Sequence, residues 1–345
     1  MPHRIAWLMF VLAVGACGCG AESQSAPGGA GAGVGGSDAM ASNGGSAGSS
    51  AAGRSSAGDG GTATPGGAAS SGGGDAGRAS GGGGSGGGGS GGIGVGPRCP
   101  SDHPFGELKP LAELNTGGLA TGARLTSDEL TIVYYCPTPT LDRVCLARRA
   151  VRTGTFGQPE VIVADGGGVP WISDDLLTLF FQNASTKEGV LASQRQTSGE
   201  PFPAPVALDP PFDKARDPYV VGGENGHLYV SRSDDFIGVC ALNGFQPGAP
   251  MGNGALGGRP VPTLDELTLY FVISTPLDTT NHSMETWVAV RKSVADSFND
   301  SVSVKELNTH VYTYPGWISP DGCRLYLDAG DVTYRRVLYM AERQL

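Results

Sequence analysis

The run Ile318-Ser319-Pro320-Asp321-Gly322-Cys323-Arg324-Leu325-Tyr326-Leu327, an acidic turn followed by an apolar strand, decides the fold because it returns four more times. The other copies read TSDELTIVYY at 126–135, ISDDLLTLFF at 172–181, VGGENGHLYV at 221–230 and TLDELTLYFV at 263–272. Taking Asp128, Asp174, Glu224, Asp265 and Asp321 as the acidic positions, the spacings are 46, 50, 41 and 56 residues. That period is the one expected of a four-stranded propeller blade.

Each copy sits within a larger repeat. A short extended segment precedes the turn, as in Pro170-Trp171-Ile172-Ser173 and Pro315-Gly316-Trp317-Ile318. Pro is tolerated at such a strand start, where the ladder can spare a donor. The strand after the turn is apolar almost throughout, which implies cover on both faces, as between neighbouring blades. A third strand follows (143–149, 189–195, 236–243, 286–292 and 337–343), and four of the five end on a basic residue, read as a solvated outer edge. The fourth is announced by Phe156, Phe202 and Phe298; in repeat three Phe245 leads into Gly-rich sequence that argues against an outer strand. Repeat five stops at Leu345 without a fourth strand, while Phe105 to Asn115 carries the missing signature. Both that segment and repeat four end in Glu-Leu-Asn-Thr, at 113–116 and 306–309. The expected fold is therefore all-β, a five-bladed propeller with blades near 123–164, 170–208, 218–256, 260–307 and 315–345, the last completed by 105–115. Closure of this kind leaves no large unpaired sheet edge.

The run Trp-Ile-Ser-Pro-Asp-Gly at 317–322, with Leu325-Tyr326 after it, resembles the WD40-like repeat of TolB-type periplasmic β-propellers. The resemblance is strong in repeats two and five and weak in three, where Gly222-Gly223-Glu224 replaces the Ser-Asp core. It implies a propeller and an envelope location, and it does not imply an enzyme activity.

The amino terminus agrees with export. Arg4 is followed by an apolar stretch, Ile5 to Val14, too short to span a bilayer comfortably. Val14-Gly15-Ala16-Cys17 resembles the lipobox of bacterial lipoproteins, which implies a signal peptide over 1–16 and lipidation at Cys17. The alternatives are an ordinary secretory signal or acylation at Cys19. Residues 17–98 are Gly, Ser and Ala with almost no large apolar side chain, a composition unable to offset its ordering entropy. Such a coil would reach about 50 Å and hold the folded domain, 99–345, away from a membrane.

Charge narrows the partners. The net charge is −10 with no basic cluster after Arg4, which excludes nucleic acid and leaves the membrane to the lipid anchor. In an exported domain cysteines are expected to pair. Cys136 and Cys145 flank a short hairpin loop and are expected to bridge it; Cys99 and Cys323 form a second candidate pair; Cys240 has no obvious partner.

The recurring acids suggest local turn capping rather than catalysis, since a catalytic acid is needed once and not in every repeat. Trp171, Tyr219 and Trp317 occupy equivalent innermost positions, read first as packing and second as an aromatic mouth for a sugar or peptide. The five His residues show no metal-ligand spacing, and no Ser/His/Asp or Cys/His set appears, so neither a metal, a cofactor nor a catalytic residue is assigned. The expected function is a membrane-tethered envelope scaffold or binding module with a protein or glycan partner, its site on the face of loop 274–285 and across the channel mouth. The alternative is a glycan hydrolase or lyase with carboxylates lining the channel.

Overall fold

The structure is a computed structural model that describes residues 99–345 other than 116–118, 244–245, 278–280, 334 and 345, and only the backbone of 224 and 246–256. The expectations placed on Cys17, the signal peptide and the linker lie outside the described residues.

The described chain is all-β apart from two single-turn 3-10 segments at 212–214 and 223–225. Three antiparallel four-stranded sheets come first. They are β2 (Thr121–Leu125), β3 (Thr131–Tyr135), β4 (Val144–Arg148) and β5 (Glu160–Val163); β6 (Gly167–Ile172), β7 (Thr178–Asn183), β8 (Val190–Gln194) and β9 (Val206–Ala207); and β10 (Arg216–Val221), β11 (His227–Ser231), β12 (Phe236–Asn243) and β13 (Gln246–Leu256). The rest forms one eight-stranded sheet. Half of it is β14 (Gly258–Pro262), β15 (Thr268–Pro276), β16 (His282–Val290) and β17 (Ser301–Ser303); the other half is β18 (Tyr312–Ile318), β19 (Arg324–Gly330), β20 (Arg336–Glu342) and β1 (Lys109–Pro110). A parallel pairing of Met284 with Tyr312 joins the halves. The small antiparallel sheets, each following the sequence repeat, give an architecture of propeller type.

The innermost strand of each repeat packs beside that of the next: β2 by β6, β6 by β10, β10 by β14, β14 by β18, and β18 by β2. Leu228, Leu269, Leu325 and Phe180 from second strands are fully buried, as expected of apolar strands covered on both faces.

The amino-terminal segment runs antiparallel to β20, with Lys109 opposite Met340 and Phe105 opposite Arg343. The two Glu-Leu-Asn-Thr copies act alike. The Asn115 amide pairs with the backbone N–H and carbonyl of Leu338, and Asn308 does the same to Thr286. Glu113 accepts the N–H of Phe156, and Glu306 that of Phe105.

Three expectations are corrected. β13 exists and pairs with β12, through three register shifts that Gly-rich backbone can absorb. In three repeats the basic end of the third strand is not solvated, and in repeat four the terminal Lys292 is exposed as expected while Arg291 before it is not. Arg149, Arg195, Arg291 and Arg343 stack over Phe156, Phe202, Phe298 and Phe105 at 4.2–4.5 Å. Each donates Nε to the carbonyl of the turn residue that precedes its second strand: Glu129, Leu176, Glu266 and Gly322. The turn acid of repeat two is Asp175, not Asp174. Ser173 Oγ and the Leu177 N–H both donate to Asp175 Oδ1, matching Asp128, Asp265 and Asp321 in their repeats.

Candidate functional site

Four of these turns have the same construction. A Thr or Ser (126, 173, 263, 319) bonds the Asp two residues on and also takes the N–H five residues on. The residue after the Asp has positive φ: Glu129 at 63°, Leu176 at 63°, Glu266 at 58° and Gly322 at 73°. These carboxylates are used by their own backbone, which leaves them a structural role.

The turns surround a cavity of about 310 Å³ where the ends of β2, β6, β10, β14 and β18 converge. Its walls include Leu125, Trp171, Tyr219, Val220, Pro262 and Trp317. Strand register makes Trp171, Tyr219 and Trp317 equivalent, opposite Phe180, Tyr229 and Tyr326; the remaining equivalents are Arg124 and Val261. Trp317 packs edge-on against Tyr326 and Trp171 lies tilted on Phe180, so these side chains are buried while lining the cavity. The packing reading of them holds, and they also line the cavity.

Asp174, freed from the turn, stands on the rim. Ser127 donates its N–H to Asp174 Oδ1 and its hydroxyl to Oδ2, both at 2.7 Å, tying repeat one to repeat two. The cavity lies at the opposite end of the sheets from the loop at 274–285, one of the two places, with the channel mouth, where a partner site was expected. Antiparallel pairing sets the turn after each first strand and the loop after each second strand at opposite ends of the sheet, and the aromatic positions lie toward the first.

Beneath the aromatics, Arg124 is 0% exposed. Its Nη1 donates to the Gly316 and Ala123 carbonyls, and its guanidinium lies 4.9 Å over the Tyr219 ring. Nε and Nη2 have no partner among the described residues. Burial pushes this guanidinium down to about 10, against the opposing pull of Tyr219 and Asp217. The same burial raises the Tyr219 phenol.

Asp217, Arg259 and Asp328 join around the same axis. Arg259 Nη1 lies 2.6 Å from Asp328 Oδ1 and its Nε 3.6 Å from Asp217 Oδ1. Asp328 also takes the Gly122 N–H at 2.8 Å and Arg336 Nη1 at 3.1 Å, while Ser231 Oγ donates to Asp217. Arg259 and Arg336 both stack on Tyr314. Each innermost strand has a register shift here, and Asp217 and Arg259 sit at theirs with φ of 52° and 50°. A bulge re-aims the side chain it carries. Sequence reasoning missed this cluster because its members come from different repeats: Asp217 and Arg259 stand where other repeats carry Gly122, Val169 or Pro315, and Asp328 where they carry Tyr135, Gln182, Ser231 or Val272. The arrangement neutralises both carboxylates.

Cys136 and Cys145 form a disulfide, and so do Cys99 and Cys323. Cys240 is buried and unbridged. Among the described residues no group of three or more His, Cys, Asp or Glu is placed to hold a metal.

No family model matches the chain and no curated protein resembles it. Solved structures do. TolB from Acinetobacter baumannii is 14% identical over 70% of this chain and 55% of its own, with a TM-score of 0.39. A glycosyl hydrolase from Bacteroides ovatus is 10% identical over 65% of this chain and 86% of its own, with a TM-score of 0.45. An exo-beta-1,3-galactanase from Phanerochaete chrysosporium is 10% identical over 65% of this chain and 60% of its own, with a TM-score of 0.46. The chain thus spans little more than half the length of the TolB it matches.

Proposed function

We propose that this chain is a glycan-binding module of the cell envelope, a five-bladed propeller whose last blade is completed by residues 105–111 and whose turn face carries the ligand site. The five-bladed, closed reading draws support from the cyclic order of innermost strands and from the pairing of Phe105 and Lys109 with β20. Tethering through Cys17 and a flexible linker belongs to the same proposal, and rests on sequence alone.

One observation carries the choice of site: strands from all five repeats end at a single cavity walled by Trp171, Tyr219 and Trp317. Aromatic side chains combined with Ser127, Ser173 and Asp174 suit a ligand with apolar ring faces and hydroxyl edges. The reading predicts saccharide binding, measured by calorimetry on arrayed neutral and acidic oligosaccharides. Asp174→Asn should weaken it several-fold while the melting temperature holds. Absence of binding to every saccharide would refute it.

A second reading, glycan hydrolysis or lysis, is favoured by Asp217, half-buried, and Arg259, buried, two charged residues held at positive φ beside Asp328. Backbone in such conformations concentrates at functional sites. Cleavage requires two carboxyls facing one substrate with room between them. Asp217 and Asp328 are instead bound to Arg259, and Asp174 on the rim stands without a second free acid in the cavity wall. New reducing ends released by the wild type, and lost in Asp217→Asn or Asp174→Asn, would establish the enzyme in place of the binding module.

A further inference from the structure

A second cleft, of about 460 Å³, opens between repeats four and five. Its origin is legible by comparing equivalent junctions. Between repeats five and one, buried Glu129 reaches across to Arg324 at 2.6 Å. Between three and four, Glu266 reaches His227 at 2.6 Å and takes the Tyr229 hydroxyl. Between one and two, Leu176 stands at the Glu position and packs on the apolar cluster there. At the junction of four and five that position is Gly322, and the residue facing it, where Arg324 or His227 stands elsewhere, is Thr268. A Cβ at Gly322 would meet nothing nearer than the Cys99 carbonyl at 3.9 Å. The pair that fills two other junctions is replaced by the two smallest choices, and a cleft results.

This cleft lies on the same face as the aromatic cavity. Leu264 and Pro320 line both, and Leu264 is 51% exposed on the ridge between them. Its wall is more polar than that of the first cavity and includes Ser101, Thr263, Thr268, Tyr270, Arg291 and Arg343. Two adjoining sites, one aromatic and one rich in hydroxyls, match consecutive units of a chain whose rings have apolar faces and polar rims.

We propose that the cleft is a second subsite and that the ligand is a linear oligosaccharide long enough to cross Leu264 and occupy both. This rests on the glycan reading above. The test is calorimetry of the protein with galacto-, manno- and xylo-oligosaccharides of increasing length. In the wild type, chains of four or more rings should bind about tenfold or more tightly than disaccharides. The double variant Gly322→Glu/Thr268→Arg rebuilds the Glu129–Arg324 pair and fills the cleft; it should keep disaccharide binding and lose the gain with length. Val290→Arg, at an exposed position that lines the second cleft and not the first, should do the same without touching the packed junction. Disaccharide binding with no gain in longer chains, or a gain that survives in either variant, overturns the second subsite alone. Failure of the wild type to bind any saccharide overturns both readings.

Discussion

At the residue scale the repeated Asp is explained by what it bonds. Asp321 accepts from Ser319 Oγ and the Cys323 N–H and lies 2.9 Å from Arg324. Burial works to raise its carboxyl, but those hydrogen bonds and the Arg324 charge outweigh it and hold the group below its ordinary value of 3.8. A carboxyl depressed by folding stabilises the native state above its unfolded pKa, and that contribution is lost as pH falls through the folded value. The melting temperature of Asp321→Asn should therefore lie below wild type by a constant margin above about pH 4 and converge with it in more acid solution. A margin that persists unchanged into acid would contradict this account. The shared S/T-x-D pattern was legible in four repeats. The misplacement in repeat two came from Asp174 and Asp175 standing side by side, where only the hydrogen bonds distinguish the turn residue from the rim residue.

At the scale of elements, neighbouring repeats are tied by an arginine near the end of one third strand and a tyrosine on the second strand of the repeat before it in the ring order. Arg149 Nη2 donates to the Tyr326 hydroxyl at 2.8 Å and Arg291 Nη2 to that of Tyr229 at 3.1 Å, while Arg343 Nη2 donates to Tyr270. Burial pushes the Tyr326 phenol up to about 12, so it remains a neutral partner at ordinary pH. Arg195 shows the consequence of omission: Val133 occupies the tyrosine position facing it, and Arg195 Nη2 is buried without a partner among the described residues. Tyr326→Phe and Tyr270→Phe should each cost about 1–2 kcal/mol in denaturant unfolding, because a buried N–H donor is left unmatched. A neutral result in both would remove these pairs as ties. The basic residues were visible in the sequence. Their burial was not, since such an Arg reads as solvated until the stacking Phe, seven residues further on in three repeats and at the start of the domain for Arg343, is seen folded over it.

For the whole molecule, the amino-terminal segment holds the last sheet by β1, by Phe105 beneath Arg343, and by the Cys99–Cys323 bridge. That bridge spans 224 residues, against 9 for Cys136–Cys145. On a chain-entropy account the longer loop stabilises by about 5 kcal/mol and the shorter by about 3. The Cys99→Ser/Cys323→Ser variant should thus lose more stability than Cys136→Ser/Cys145→Ser, and its segment 99–111 should become open to limited proteolysis. Equal losses with that segment still protected would show that packing alone secures it.

The sequence by itself determined the all-β class, the repeat, the strand order within it, the equivalence of Phe105 with Phe156, Phe202 and Phe298, and the pairing of Cys136 with Cys145. All of these are local or periodic, and periodic patterns need no knowledge of distant neighbours. Tertiary structure decided the rest: which face bears the aromatic cavity, the joining of Asp217, Arg259 and Asp328, and the cleft beside Gly322. Each depends on side chains from separate repeats meeting at a junction or at the common axis, and no single repeat encodes what its neighbour places opposite.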